Sequence, residues 1–238
     1  MGAWAPYPRA GYPVRAMSGT DSWRDVAHHL RDSARLRAQL PPERVALQAE
    51  ALRVAGPVKG WRVLEIGCGA GALAQKLAAE GAQVIAIDAS PAAVHAADHE
   101  AKEAGVLPKP EFAVADLLEP ASLPRGPFDL AICVLALHES ADPAAALRAV
   151  AKLLNARGRL ILALEHPWRA PAQPNSGPLG SLPALLAALR AAGLRWVEAA
   201  EPAPPGAPGE RPHHLIVSAE RTSKRPRNRG TSRKHRLE

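Results

Sequence analysis

The sequence has few cysteines, no long apolar run and, over most of its length, no excess of charge of either sign. Two cysteines, Cys68 and Cys133, are too few for a disulfide scaffold and form no metal-ligand pair, so we expect a reducing, cytoplasmic location. No stretch of roughly 18 consecutive apolar residues occurs, and the Pro-rich start lacks the apolar core of a signal peptide. We therefore expect neither secretion nor a membrane partner.

The formal net charge of +7 is confined to one end of the chain. The segment 221–238 contains eight of the 30 Lys and Arg residues and one of the 23 Asp and Glu residues, so the preceding 220 residues carry 22 of each. A neutral body with a basic, apolar-poor tail indicates a disordered appendage rather than a polyanion bound in the core. A nucleic-acid partner has weak support, and only through this tail.

Strand and helix patterns alternate from residue 61 onward, which is typical of βαβ units. Predicted strands cover 62–66, 83–88, 112–116, 128–134, 159–164, 195–200 and 213–220; predicted helices cover 22–39, 43–54, 70–80, 91–104, 143–154 and 182–192. The third and fourth strands look too apolar for a solvated face, and a turn is expected at 155–158. The predicted fold class is α/β, Rossmann-like and doubly wound, with a mostly parallel seven-stranded sheet and an antiparallel C-terminal edge strand.

These patterns predict one folded domain with two appendages. Residues 1–20 are expected to be a disordered extension and 221–238 a disordered basic tail. The domain would cover 21–220, with N-terminal helices forming a lid over 21–56 and the Rossmann-like core over 61–220.

A glycine-rich turn follows the first predicted strand. The stretch "GCGAGA", Gly67 to Ala72, presents free backbone N–H groups where a strand leads into a helix, which suits an electron-rich ligand. It fits both GxGxG and the dinucleotide fingerprint GxGxxA. Asp88, 17 residues after Gly71 at the end of the second strand, suits a ribose diol in either case. These two motifs leave the ligand open.

Five stretches together resemble the class I S-adenosylmethionine-dependent methyltransferases, over roughly Glu43 to Arg221. They are, in order, "VLEIGCGAG", "VIAIDAS", "VADLLE", "FDLAICVLALHE" and "LLNARGRLILAL". An Asn/Asp-Pro-Pro-aromatic tetrapeptide, expected for methylation of amino groups on adenine or glutamine, is replaced by "VLALHE", which resembles the small-molecule branch. The resemblance implies S-adenosyl-L-methionine as cofactor and a small-molecule methyl acceptor.

The resemblance also implies which residues hold the cofactor. Glu65 would hold the region around its amino-acid part, and Asp88 would bind the two ribose hydroxyls. The remaining implied positions are the glycines Gly67, Gly69 and Gly71 with Cys68 among them, Ala89 beside Asp88, Asp116 and Leu117 at the adenine edge, and Val134 and Leu135 beneath the methionine portion. Cys68 fits as a small residue in a tight turn rather than as a redox group.

A nicotinamide enzyme is a remote alternative. Glu65, two residues before the first glycine, would repel a pyrophosphate but suits a zwitterion with an ammonium group. No Tyr/Lys spacing for hydride chemistry follows the fourth strand. Both observations favour the methyl donor.

Methyl transfer from a sulfonium is an in-line displacement that needs alignment and removal of the acceptor's proton. Candidate bases lie after the fourth and fifth strands, and they are His138, Glu139, Glu165 and His166. Three of them have a structural alternative, because His138 could shape the pocket wall and Glu165 and His166 could cap or brace the following loop. No metal is predicted, since the His pairs at 28–29 and 213–214 lack partners at ligand spacing.

Three functions therefore stay open on sequence. The first is methylation of a small oxygen, nitrogen or carbon acceptor. The second is a nucleic-acid methyltransferase that uses the 221–238 tail, although the tail lacks the interleaved aromatics needed for base stacking. The third is a binding module that retains the cofactor pocket without turnover.

Overall fold

The computed structural model describes residues 42–105, 107–137, 140–167, 179, 181–202 and 212–222. The strands are β1 Arg62–Ile66, β2 Gln83–Asp88, β3 Glu111–Val114, β4 Phe128–Val134, β5 Leu154–Glu165, β6 Leu194–Ala200 and β7 His214–Arg221. The helices are α1 Pro42–Ala55, α2 Ala72–Ala79, α3 Pro91–Ala104, α4 Pro143–Leu153 and α5 Leu182–Ala191, with a 3-10 turn at Pro120–Ser122. The predicted helix at 22–39, the extension 1–20 and the tail beyond residue 222 lie outside the described residues.

The seven strands form one sheet in the order β3-β2-β1-β4-β5-β7-β6. Strands β1 to β5 pair in parallel, whereas β7 runs antiparallel to both of its neighbours, β5 and β6. The predicted doubly wound, mostly parallel sheet with an antiparallel C-terminal pair at one edge is confirmed. Within that pair β7 inserts between β5 and β6, so β6 forms the outermost position.

Helices cover both faces of the sheet. Successive residues of a strand point to opposite faces, so Val63 packs against α1, α2 and α3, while Leu64 packs against α4 and α5. The helix starts are the ones that the sequence predicts: Ser90 caps α3 by accepting a hydrogen bond from Ala93 N, and Asp142 and Ser181 cap α4 and α5 in the same way. Local capping chemistry therefore sets these boundaries.

Strand β3 differs from its prediction. It covers Glu111–Val114 rather than 112–116, and it lies at the outer edge of the sheet, where 48% of Val114 is exposed. The expectation that this strand is buried on both faces is wrong: Phe112 and Ala113 are only partly buried and Val114 is exposed, because β3 is an edge strand of the described sheet.

Strand β5 also begins earlier than predicted. Between the paired positions Leu154 and Arg159 the partner strand advances only from Phe128 to Leu130, so residues 155–158 bulge out of a continuous strand. Turn chemistry persists inside the bulge, since Asn155 Oδ1 accepts a hydrogen bond from Arg157 N at 2.9 Å. The predicted turn is thus a bulge within β5 and not a break before it.

Candidate functional site

The candidate site lies where the strand order reverses. β1 pairs with β2 on one side and β4 on the other, which opens a crevice beyond their carboxyl ends. The glycine turn, Asp88 and the segment after β4 all leave the sheet at this point. The topology therefore brings together the residues that the sequence predicts to hold a cofactor.

The three glycines of the turn have different structural roles. A Cβ at Gly67 would lie 2.2 Å from Ala136 Cβ, and one at Gly71 would lie 2.9 Å from Ala97 Cβ. At Gly69, with φ +52°, a Cβ would meet nothing within 4 Å. Packing therefore requires glycine at 67 and 71, whereas Gly69 leaves open space in which a ligand could approach the backbone.

Asp88 holds the glycine turn in place. Its Oδ2 accepts a hydrogen bond from Gly69 N at 2.9 Å, and its Oδ1 accepts one from Ser90 N at 2.9 Å. Each carboxylate oxygen has a second lone pair, and the half-buried side chain can direct these toward the crevice. Ala89, the next residue, is exposed. Asp88 can thus brace the turn and accept hydrogen bonds from a diol at the same time.

Glu65 is the one buried carboxylate among the described residues, at 4% exposure. Burial, with the nearby charge of Asp88 adding to it, raises the pKa of Glu65 to about 8. Its Oε2 is buried and has no hydrogen-bond partner in the described part of the chain. Burial also raises the pKa of the Cys68 thiol, which agrees with a packing role for that residue.

Arg44, in the first turn of α1, faces the same interior. Its charge lowers the pKa of Glu65, and its Nε is the second buried side-chain atom without a hydrogen-bond partner among the described residues. Sequence reasoning missed Arg44. The available signal was its place with Gln48 on the helix face that also buries Leu47 and Ala51.

The segment after β3 carries Asp116 and Leu117, two of the residues that the sequence predicts to hold the cofactor. Asp116 Oδ1 accepts a hydrogen bond from Leu118 N at 2.9 Å, and Asp116 N donates to Ser122 Oγ at 3.0 Å. Leu117 is 9% exposed. Ser122, which the sequence did not single out, therefore fixes the turn that presents Asp116 and the Leu117 amide.

The segment after β4 carries backbone strain. Leu135 has φ +55° and is the only non-glycine residue with positive φ in the described part of the chain. Its N–H donates to Ala163 O on β5 at 2.9 Å, and Val134 before it is buried. A branched residue in this conformation costs about 1 to 2 kcal/mol, so the surrounding contacts impose the bend. His138 and Glu139, which follow, lie outside the described residues.

The other two candidate bases lie at the carboxyl end of β5. Glu165 is exposed and His166 N donates to His213 O at 2.8 Å. His166 Nε2 lies 3.1 Å from Oε1 of Glu201, a residue just past β6 that sequence reasoning missed. The sequence predicts both candidates beside the switch point; in the structure Glu165 is the last residue of β5, the neighbour of β4, and His166 directly follows it.

Known proteins are similar to this chain over the region that contains the candidate site. Residues 64–162 match the family described as a methyltransferase domain. The ubiquinone biosynthesis O-methyltransferase of Ralstonia nicotianae is 35% identical over 120 residues, which cover 50% of this chain and 50% of that protein. The S-adenosylmethionine-dependent methyltransferase of Mesorhizobium loti has a crystal structure with a TM-score of 0.59 and 26% identity, over 74% of this chain and 96% of that one. The chain therefore contains a methyltransferase domain, and its fold is that of the S-adenosylmethionine-dependent methyltransferases.

The likeness of fold extends to a methyltransferase crystallised with its cofactor. The magnesium protoporphyrin IX methyltransferase of Synechocystis with bound S-adenosylmethionine has a TM-score of 0.58 and 24% identity, over 87% of this chain and 92% of that one. The prediction of a methyltransferase domain is confirmed. The chain spans about half the length of the curated relatives it matches.

The residues of this methyltransferase fit the amino-acid part of that cofactor. Arg44 Nε is an unpartnered buried donor and Glu65 Oε2 an unpartnered buried acceptor. A buried polar atom without a partner costs about 1 to 3 kcal/mol, so such atoms need an explanation. A zwitterion satisfies both, since its carboxylate accepts from a guanidinium and its ammonium donates to a carboxylate.

Neither a metal nor a membrane enters the description of the site. Among the described residues, no group of three or more His, Cys, Asp and Glu side chains is arranged to hold a metal ion. Within the same residues, no helix has the length and apolarity needed to cross a bilayer.

Proposed function

We propose that this chain transfers a methyl group from S-adenosylmethionine to a small-molecule acceptor. The observation that carries the proposal is the pair of unpartnered buried atoms, Arg44 Nε and Glu65 Oε2, at the switch point of the sheet. When bound, the cofactor supplies an electrophilic methyl carbon on a sulfonium. The protein's part is then to bind, align and deprotonate.

The binding residues contact three parts of the cofactor: its amino-acid part, its ribose and its adenine. Arg44 binds the carboxylate and Glu65 binds the ammonium. Asp88 accepts hydrogen bonds from the ribose while its Oδ2 also accepts the hydrogen bond from Gly69 N. Asp116 and the Leu117 amide bind the adenine edge. Val134 and Leu135 contribute an apolar floor under the methionine portion, and the open space at Gly69 admits the nucleoside.

The acceptor atom that we favour is a hydroxyl oxygen, because relatives at 35% and 37% identity are named as O-methyltransferases. Its proton has to be removed as the oxygen attacks. His166 is the base that we propose, with Glu201 at 3.1 Å to orient the ring and Glu165 beside it; His138 is the candidate from the β4 side. A carboxylate partner keeps the imidazole in one tautomer and orientation.

Calorimetry followed by turnover tests the proposal. S-adenosylhomocysteine should bind the full chain with one-to-one stoichiometry, and a panel of hydroxylated aromatic and aliphatic acceptors should release it from S-adenosylmethionine. Binding without any release across the panel would favour the module without turnover. Binding of NADH in place of S-adenosylhomocysteine would overturn the proposal.

Removing the Asp88 carboxylate should weaken cofactor binding strongly. Asp88→Ala loses charge-assisted hydrogen bonds to the ribose, which should cost about 1 to 3 kcal/mol of affinity. The loss should be equal for S-adenosylhomocysteine and for 5′-methylthioadenosine, because both carry the ribose. Calorimetry with both ligands measures this. An unchanged affinity for either ligand would show that the ribose is held elsewhere.

The nucleic-acid alternative rests on the basic tail. Thr222 donates to Gly193 O and Arg221 donates to Leu154 O, so a truncation should keep both residues and remove 223–238. With a small acceptor, turnover should stay within about twofold. With a nucleic-acid acceptor, affinity should fall steeply at low salt, since each phosphate contact releases a counterion. A filter-binding salt series with RNA, beside the turnover assay, separates the two functions.

A further inference from the structure

Arg159 of β5 holds the C-terminal end of α1. Its Nη1 donates to Ala55 O at 3.1 Å, and its Nη2 donates to Val54 O at 2.9 Å. Nη2 also lies 3.4 Å from Oγ of Ser218, a fully buried residue of β7. The last carbonyls of a helix have no partner within the helix and carry partial negative charge, so a guanidinium is well suited to bind them.

No second cation in the described part of the chain binds these carbonyls. Arg53, in the same turn, points outward and pairs with Glu50 on the exposed surface, with Nε–Oε2 at 2.8 Å. Among the described residues, the end of α1 is therefore hydrogen-bonded to the sheet through the guanidinium of Arg159.

The rest of the α1 interface constrains the helix less along its axis. The helix fully buries three apolar side chains, Leu47, Ala51 and Ala55, and two of them are single methyl groups; Leu52 and Val54 pack against the same core only partly buried. Short side chains make shallow ridges, which resist sliding less than interlocked large ones do. The directional hydrogen bonds of Arg159 supply the restraint along the helix axis that the alanine side chains do not.

The opposite end of α1 carries Arg44. Eleven residues separate Arg44 from Ala55, which corresponds to about 16 Å along a helix. A shift of α1 along its axis, or loss of its last turn, would therefore move the guanidinium that faces Glu65. Hydrogen bonds weaken steeply over a few tenths of an ångström and with misalignment, so such a shift matters.

We propose that Arg159 is a positioning residue for cofactor binding: it sets the axial position of α1 so that Arg44 meets the cofactor's carboxylate. The inference rests on the proposed function, because it takes Arg44 as the carboxylate-binding group. Arg159 itself pairs with Leu130 near the amino end of β4, whereas the crevice lies beyond the carboxyl ends of the strands.

The experiment compares two ligands. S-adenosylhomocysteine carries the amino-acid part, whereas 5′-methylthioadenosine keeps the adenosine and the thioether and lacks that part. Arg159→Met should weaken binding of the first ligand by about fivefold to tenfold, and binding of the second by less than about twofold. Arg159→Lys should recover part of the loss, because an ammonium can still donate to the carbonyls. Calorimetry on the full chain, with the wild-type protein beside the two variants, measures all six affinities.

A double-mutant cycle shows whether the effect passes through Arg44. In an Arg44→Ala background, Arg159→Met should cause no further loss of affinity for S-adenosylhomocysteine. Arg221→Met is the matched control: this arginine also donates to a backbone carbonyl, Leu154 O, but has no hydrogen bond to α1. It should leave both affinities unchanged.

The outcomes separate this inference from the proposed function. Equal losses for both ligands, or losses that add to those of Arg44→Ala, would show that Arg159 acts through general stability and would overturn the positioning role. If Arg159→Met does not fold, the same comparison with Arg159→Lys decides. Failure of the wild-type chain to bind S-adenosylhomocysteine would overturn the proposed function, whatever the variants do.

Discussion

Glu65→Gln is expected to raise the thermal stability of the cofactor-free protein and to remove most of its affinity for S-adenosylhomocysteine. The wild-type carboxylate is buried, and its Oε2 has no partner among the described residues. Glutamine removes the cost of burying a charge but offers the cofactor's ammonium only a neutral oxygen. We expect an affinity loss of at least about tenfold, as for a lost charge-assisted hydrogen bond.

The stability effect should depend on pH in a defined direction. Burial raises the pKa of Glu65 from its ordinary value of 4.5 to about 8, so the folded state binds the proton more tightly than the unfolded state does. Wild-type stability should therefore fall as pH rises from about 4.5 to about 8, with the full cost present above that window. The advantage of Glu65→Gln should be absent near pH 4 and on the order of 5 kcal/mol near pH 9.

Urea denaturation at several pH values and calorimetry of binding check the two halves of this prediction. Cofactor binding by the wild-type protein should also release close to one proton near pH 7, because the ammonium requires the ionised form of Glu65. Glu50→Gln is the matched control, since Glu50 is a surface carboxylate of α1 paired with Arg53. Tight binding of S-adenosylhomocysteine by Glu65→Gln would show that the ammonium is bound elsewhere.

Gly67→Ala is expected to lower the stability of the fold, whereas Gly69→Ala is expected to lower mainly the affinity for the cofactor. At Gly67 the new Cβ would overlap Ala136 Cβ at 2.2 Å, at φ +73°, so Gly67→Ala should destabilise the fold by about 2 to 5 kcal/mol. At Gly69 the new methyl meets no protein atom, so the cost to the fold should be only about 1 kcal/mol from the positive φ. Its cost to cofactor affinity should be larger, because the methyl occupies the open space.

Equilibrium unfolding and calorimetry on both variants measure this contrast. Ala136→Gly removes the atom that Gly67→Ala would strike, so the double variant should regain the overpacking part of the lost stability but not the part due to φ. Unchanged affinity in Gly69→Ala would mean that the nucleoside does not approach this turn.

Several strand ends and helix starts could be predicted from the sequence because neighbouring residues determine them. β1, β2 and β4 have the predicted bounds, and Ser90 with Pro91 begins α3 as expected. Each of these depends on a few neighbouring residues: an apolar run, a capping hydroxyl, or a proline that suits the first turn.

Features that depend on distant parts of the chain were not predictable in this way. The exposure of β3 follows from its place at the sheet edge, and the bulge of β5 follows from the register that β4 imposes. Arg44 and Glu201 became site candidates only because α1 and β6 bring them to Glu65 and His166. No spacing in the sequence encodes those contacts, since the members of the two pairs are 21 and 35 positions apart.

The insertion of β7 between β5 and β6 sets an order on how this edge forms during translation. In the sheet β6 pairs with β7 alone, and β7 is made after it. In a nascent chain that has emerged only through β6, one edge of β5 and one edge of β6 lack the hydrogen-bonding partner that β7 provides. These strands cannot pair until β7 leaves the ribosome. The last of the described strands joins its two predecessors, so this edge of the described sheet forms late and stays open to aggregation until β7 pairs.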